Sequence, residues 1–241
     1  MGAWRRSGWL AWVCLLPAVA VLTIFTIYPA LDSVRLSFHA VSPFGSDLFF
    51  VGWENYTELW AEPEYRHTLY ISFLFLLYTV PTSVVLSLAI SLALDAQPYV
   101  RSFFRTLFLM PVGISTAMAA MVWIFLYNPN AGYLNYGLDL LGITGPNWLA
   151  DPQWALASVA VATVWKEMGF NIIFFLAALA AVPEELHEAA TIDGANSWQR
   201  FRNVTLPMIS PTLFFIVVVS VIHAFESFGQ IHILTKGGPA D

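Results

Sequence analysis

Long apolar segments alternate with shorter polar segments along most of the chain. A helix needs about 20 mostly apolar residues to cross the hydrocarbon core of a bilayer. Five segments meet this requirement, at about residues 9–31, 67–94, 103–127, 154–182 and 211–233. The pattern predicts an all-α fold: a polytopic membrane helix bundle with five spans that occupies residues 1–241 as one transmembrane domain.

The composition agrees with a membrane location. Hydrophobic residues make up 58% of the 241 residues, charged residues make up 11%, and the mean hydropathy is +0.67. This is more apolar side chain than the core of one water-soluble domain can bury, and a lipid bilayer can take the excess. The net charge of −6 argues against a nucleic-acid partner, for which a basic stripe would be expected.

The positions of the basic residues predict the orientation, because cytoplasmic loops retain Lys and Arg. With the N-terminus inside, the cytoplasmic set is Arg5, Arg6, Arg101, Arg105, Arg200 and Arg202, and the external set is Arg35, Arg66 and Lys236. The larger cytoplasmic set predicts a cytoplasmic N-terminus. It also predicts a long, acidic external loop after the first span, which contains the turn sequence VSPFGSD. No small-x-small cleavage site follows that span, so we expect it to be retained.

The polar segment between the fourth and fifth spans, 183–210, has the pattern of two short helices. Pro183 suits the first position of one helix, and Gly194 suits a left-handed stop about three turns later. Asn196 or Ser197 can cap a second helix over 198–206. Pro207 and Pro211 are expected to close off that second helix before the fifth span. From these residues alone, the segment is either a docking hairpin or a plain connection between two spans.

The sequence EAATIDGANSWQRFRNVTLPMISP within and after this segment resembles the EAA loop of importer permeases in the ATP-binding cassette superfamily. The positions that match the family pattern are Glu188, Ala189, Ala190, Asp193, Gly194, Ala195, Phe201, Leu206, Pro207 and Pro211. Further segments, including FVGWENYTELW, VWKEMGFNIIFFLAAL and ILTKGGPA, are similar to the carbohydrate-type branch. Within that branch, VSPFG and VWIFLYNP resemble most the A-type permease of sn-glycerol-3-phosphate importers.

The resemblance implies that the loop is a cytoplasmic coupling helix seated in a groove of an ATPase subunit. It implies three kinds of protein partner: a second, related permease subunit, a cytoplasmic ATPase dimer and an extracytoplasmic solute-binding protein. It also implies a bacterial-type cytoplasmic membrane. Members of the family usually have a sixth span after the GGP segment, whereas this sequence stops at Asp241. We therefore expect the chain to lack the sixth span.

Six of the polar residues within the last two predicted spans are candidates for the solute path, because ionisable and amide side chains are costly there and usually functional. They are Lys166, Glu167, Asn171, His223, Glu226 and Gln230. The last three stand at i, i+3 and i+7 and therefore share one helical face. One interpretation is that these residues line the solute path, with Lys166 attracting an anionic group. The alternative is structural, with Lys166 neutralising Glu167 or Glu226 and the amides bonding neighbouring helices.

These observations predict the permease subunit of an ATP-driven importer, forming half of the pathway for a small polar solute. Glycerol-3-phosphate or a related glycerophosphodiester is the expected solute, and a mono- or oligosaccharide is the alternative. The sequence has no GxxxxGK[ST] phosphate loop, so ATP hydrolysis is expected in a partner rather than in this chain. A channel and a membrane-embedded enzyme are remote alternatives, since HExxH and GxSxG are absent. We expect no catalytic residue, metal site or cofactor.

Overall fold

The structure is a computed structural model that describes residues 8–41 and 48–238. Most of the VSPFGSD turn, together with Arg5 and Arg6, lies outside these residues. The backbone alone is described at 8–11 and 98–101. The chain divides into two compact units, residues 1–69 and residues 70–241.

The first unit contains one membrane-length helix and a short surface elaboration. The long helix consists of α1 (Gly8–Leu22), a π-helical turn (Thr23–Ile27) and α2 (Tyr28–Leu36). Two three-residue strands follow, β1 (His39–Val41) and β2 (Leu48–Phe50), before α3 (Glu54–Ala61).

The two strands correct the all-α prediction in a small way. They pair in antiparallel register, with His39 opposite Phe50 and Val41 opposite Leu48. An amide fastens this hairpin to α3, because Asn55 Nδ2 donates to the carbonyl oxygens of Ser37 at 2.8 Å and His39 at 3.1 Å. So short a pairing leaves little trace in a sequence pattern, since three residues do not establish an alternation.

The second unit is a helical bundle. Its helices are α4 (Pro63–Asp95, which begins in the first unit), α5 (Pro98–Leu109), a 3₁₀ turn (Met110–Gly113), α6 (Thr116–Leu126), α7 (Tyr133–Asp139), α8 (Ala155–Ala180), α9 (Glu184–Ile192), α10 (Ser197–Arg200), a π-helical turn (Phe201–Thr205), α11 (Leu206–Phe225) and α12 (Phe228–Thr235). Its core lies around α8, whose Phe175 and Ala162 are fully buried beside Ile209 and Ile216 of α11.

Among the described residues, four helices are long and apolar enough to cross a membrane, or five if one bent pair counts as a span. The four are Trp12–Leu36, Pro63–Asp95, Ala155–Ala180 and Ser197–Phe225. The bent pair occupies the predicted third span, where the chain direction bends by 106° between Ser102–Gly113 and Thr116–Leu126. Pro111 and Gly113 lie at the bend, and the Ser115 hydroxyl caps the N-terminus of α6.

The helix that contains most of the fifth predicted span, 211–233, begins earlier and ends earlier than predicted. The helix is continuous from Ser197 to Phe225, so the prediction that Pro207 and Pro211 end a short helix is wrong. A π-helical turn ends at Thr205, two residues before Pro207, and shifts the backbone bonding just ahead of the proline. Pro211 cannot donate to the Pro207 carbonyl, but the Ser210 hydroxyl does so at 2.8 Å. The missing backbone hydrogen bond is thus replaced, and the helix continues.

Candidate functional site

A cavity of about 260 Å³ lies in the second unit and contains five of the six polar residues predicted within the spans. Its lining consists of Val112, Thr116, Lys166, Glu167, Phe170, His223, Glu226, Ser227 and Gln230. Residues from four helices and one 3₁₀ turn therefore converge on one space. The lining combines three charged side chains, one imidazole, one amide and two hydroxyls with two apolar side chains, so a polar solute would find hydrogen-bond partners there.

Two interruptions in apolar helices shape this cavity. The bend between α5 and α6 contributes Val112 and Thr116. The second interruption separates α11 from α12 and contributes Glu226 and Ser227. Glu226 is the C-terminal cap of α11, so it lies at a helix end rather than in mid-span as the sequence predicted. Irregular backbone at membrane depth is tolerated where it is buried in protein or lines a cavity.

The charges in the cavity are only partly paired. The Nδ1 atom of His223 lies 4.0 Å from Oε1 of Glu167, which is an ion pair when the imidazole is protonated. Among the described residues, Lys166 has no carboxylate oxygen within the 4.0 Å that defines an ion pair. Lys166 and Glu167 are consecutive residues whose charges interact without a direct ion pair, so the solute-path and structural interpretations of Lys166 both stay predictions. One lysine faces the cavity with two carboxylates.

Gln230 is the most enclosed member of the lining. Its side chain is only 3% exposed, and its Nε2 atom has no hydrogen-bond partner among the described residues. An unpaired buried amide is costly, at about 1–3 kcal/mol.

Asn171 is separated from the other five residues. It is 1% exposed and donates through Nδ2 to the hydroxyl of Ser83 at 2.9 Å and of Ser220 at 3.5 Å. These bonds connect α8 to α4 and α11. The geometry therefore gives Asn171 the structural role that was the alternative for the amides.

A row of serines on α4 bonds to α8, and the sequence analysis did not identify it. Ser83, Ser87 and Ser91 are each 0% exposed. Ser87 and Ser91 donate to the carbonyl oxygens of Met168 and Ile172, each at 3.4 Å. The i, i+4, i+8 spacing of small polar residues in an apolar helix was the available signal, because such stripes allow close helix packing in membranes.

The segment between α8 and α11 forms two helical arms joined by a tight turn. Pro183 has an extended backbone and occupies the N-cap position, so α9 begins at Glu184, one residue after the predicted start. Gly194 has φ +79°, as its predicted left-handed stop requires. Asn196 caps α10 in a reciprocal capping box with Gln199. Arg200 joins the arms by donating to the Thr191 hydroxyl at 3.0 Å.

The matched EAA-loop positions divide by exposure. Six of them are exposed: Glu188, Ala189, Asp193, Gly194, Pro207 and Pro211. The other four are half-buried: Ala190, Ala195, Phe201 and Leu206. Two apolar side chains are also exposed on the first arm, Leu186 at 40% and Ile192 at 86%. The turn therefore presents small residues beside apolar ones, a surface that a partner's backbone can approach closely.

Similar proteins are transport permeases. The chain is 38% identical over 235 residues to the sn-glycerol-3-phosphate transport system permease protein UgpA of Pectobacterium atrosepticum, covering 97% of this chain and 79% of that protein. It is 36% identical over 234 residues to the protein of the same name from Brucella abortus, covering 96% and 79%. The resemblance to importer permeases is thus confirmed.

Solved structures agree with these relatives. A crystal structure of a bacterial ABC transporter involved in the import of the acidic polysaccharide alginate superposes with a TM-score of 0.77 at 27% identity, covering 98% of this chain and 80% of that one. A second structure, of the alginate transporter with an alginate pentasaccharide-bound periplasmic protein, gives 0.77 at 26% identity and covers 99% and 81%. The model of the binding-protein-dependent transport system inner membrane component family matches residues 69–239, and the chain belongs to this family of ABC importer permeases.

Proposed function

We infer that this permease forms half of the membrane pathway for glycerol-3-phosphate or a related glycerophosphodiester. The observation that carries the proposal is a cavity lined by Lys166, two carboxylates and an amide, in which Lys166 makes no direct ion pair with any described residue. A phosphate group would be the partner of Lys166. The solute's hydroxyls would donate to Glu167 and Glu226, whose carboxylate oxygens are acceptors. The two permease relatives compared above are named for sn-glycerol-3-phosphate transport, which supports the same solute.

A mono- or oligosaccharide is the second candidate. The cavity has two carboxylates against one lysine, and carboxylates readily accept hydrogen bonds from sugar hydroxyls. The solved transporter imports an acidic polysaccharide, alginate. Both candidates therefore share one chemistry, a polyhydroxy solute, and they differ in how many hydroxyls surround the anionic group.

The turn between α9 and α10 is the proposed site of coupling to a cytoplasmic ATPase. Gly194 is exposed, and no atom of the described residues lies within 4 Å of the position that a Cβ would occupy there. A partner surface would therefore meet bare backbone flanked by Ile192. Because α10 continues into α11 without a break, movement of the turn would be transmitted along Ser197–Phe225 to His223 at the cavity. Closure of the ATPase around ATP would thus reach the solute path.

The proposed assembly contains a second permease subunit, an ATPase dimer and an extracytoplasmic solute-binding protein. One solved relative is a complex with a periplasmic protein, which supports the last of these partners. We place the N-terminus in the cytoplasm, since Arg200 and Arg202 beside the turn then face the same compartment as the ATPase. Orientation and coupling are in this way consistent with each other.

The first test is uptake of radiolabelled glycerol-3-phosphate, with maltose as comparison, in cells carrying or lacking the gene. The neighbouring transport subunits are supplied in both strains, and a third strain lacks the ATPase subunit. We expect gene-dependent and ATPase-dependent uptake of the phosphate alone. Uptake of maltose alone would replace the proposed solute with a sugar. Uptake that persists without the ATPase would indicate a channel.

A further inference from the structure

Helix α3 separates apolar and acidic residues onto two sides. At about 100° per residue, Glu54, Glu58 and Glu62 fall within an arc of roughly 80°. Tyr56 and Trp60 lie on the opposite side, and Leu59 lies between the two sides. A helix of eight residues is only about 12 Å long, so α3 is too short to be a membrane span.

The apolar side of α3 is not covered within its own unit. Trp60 is 64% exposed and Trp53, the N-terminal cap, is 69% exposed. One edge of this side is held, because the ring of Phe38 packs against Trp53 at 5.2 Å and Tyr56 at 5.5 Å. The aromatic rings are therefore fixed in place and still open on their outer faces.

Both ends of α3 are attached to the ends of membrane-length helices. Ser37, the first residue after the span Trp12–Leu36, bonds Tyr56 through the two hydroxyls at 2.6 Å and accepts from Asn55 at its carbonyl oxygen. At the other end, only Glu62 separates α3 from the helix that begins at Pro63, and its extended backbone breaks the helix direction. A segment held between two span ends lies at the level where the bilayer meets water.

We propose that α3 is an interfacial helix whose Trp53, Tyr56 and Trp60 side lies in the lipid headgroup layer. Trp and Tyr are enriched at this depth because their rings are amphipathic. An amphipathic helix at the interface places its apolar side about 5–10 Å into the headgroup and acyl boundary. The three glutamates then face water. The helix supports the connection between the first two spans, and this role does not depend on which solute is carried.

The charge on the polar side limits which lipids contribute. Glu54, Glu58 and Glu62 gain nothing from anionic headgroups, unlike the basic polar sides common in such helices. Anchoring therefore depends on the aromatic side, and zwitterionic lipid is sufficient for it. This makes phosphatidylcholine nanodiscs a suitable probe.

Spin labelling of single cysteines measures the depth of α3 directly. Cys14 is the only cysteine, so Cys14→Ser gives a background with no other thiol. Trp60→Cys and the matched control Glu58→Cys, two positions apart on opposite sides, are labelled in the full chain in phosphatidylcholine nanodiscs. We expect the ratio of collision with oxygen to collision with a water-soluble nickel complex to be several-fold higher at position 60 than at position 58.

Trp53→Cys provides a second position on the aromatic side, and we expect it to give the same result as Trp60→Cys. Agreement between the two shows that the result does not come from one variant that failed to insert. Equal nickel access at positions 58, 53 and 60 would overturn the proposal. So would shielding of positions 53 and 60 from both reagents, or shielding that requires the solute-binding protein, since a protein would then cover this side. The experiment measures lipid contact and not transport, so its outcome does not depend on which solute the protein carries.

Discussion

The Nδ2 atom of Asn171 lies 2.9 Å from Oγ of Ser83, in the buried interface between α8 and α4. The same Nδ2 atom lies 3.5 Å from Oγ of Ser220 on α11. One side chain thus connects three helices of the bundle. Because all three side chains are almost fully buried, these groups depend on one another for hydrogen bonds.

Asn171→Ala is expected to destabilise the folded protein by about 1 kcal/mol, the typical contribution of a hydrogen bond between membrane helices. The measurement is thermal unfolding in detergent. Ser83→Ala and the double variant complete a cycle that isolates the pair. Because Asn171 does not line the cavity, uptake of charged and neutral solutes should fall equally. A selective loss of one solute would contradict the structural role.

Gly169→Ala is expected to reduce the amount of folded protein. A Cβ at this position would lie within van der Waals overlap of the Phe108 carbonyl oxygen, and 2.8 Å from Cγ2 of Val112. Overpacking of this kind costs about 1–3 kcal/mol. Gly137→Ala is the matched control, since no atom lies within 4 Å of its Cβ position. Size-exclusion profiles that match for the two variants would show that α5 does not pack tightly on α8.

Gly194→Asp is expected to leave the protein in the membrane and to abolish transport. The left-handed conformation, with φ +79°, costs a non-glycine residue about 1–2 kcal/mol, and the new side chain would project from the proposed docking surface. Membrane abundance and solute uptake are measured together.

Gly142→Asp is the control for the Gly194 prediction. Gly142 has φ +74°, and no atom lies near its Cβ position, so both variants impose similar backbone strain in different loops. Uptake should survive in Gly142→Asp. Equal loss in both variants would assign the effect to strain, and normal uptake in Gly194→Asp would remove the turn from the coupling mechanism.

Lys166→Met is expected to lower uptake of glycerol-3-phosphate at least about tenfold at low solute concentration. A charge-assisted hydrogen bond contributes about 1.5–3 kcal/mol, and about 1.4 kcal/mol corresponds to tenfold. Lys166→Arg keeps the charge and should retain most of the uptake. A neutral polyol carried by the same system should be little affected by either change. Equal loss of both solutes would leave Lys166 with a structural role.

The sequence by itself determined features that depend on neighbouring residues along the chain. The apolar runs predicted where the membrane-length helices lie, because crossing a bilayer requires only length and hydropathy. The left-handed Gly194 and the capping Asn196 were also predictable, since a turn or a cap is decided within about four positions.

Only the tertiary structure decided which polar residues meet. Asn171 and Glu167 share a helical face, yet the first bonds Ser83, which is 88 positions away, while the second faces the cavity with Lys166. The helix continues past Pro211, where the Ser210 hydroxyl donates to the Pro207 carbonyl oxygen. Periodicity reports the direction of a side chain from its own helix axis. Its environment depends on which other helices pack there, and that is set by contacts distant in the sequence.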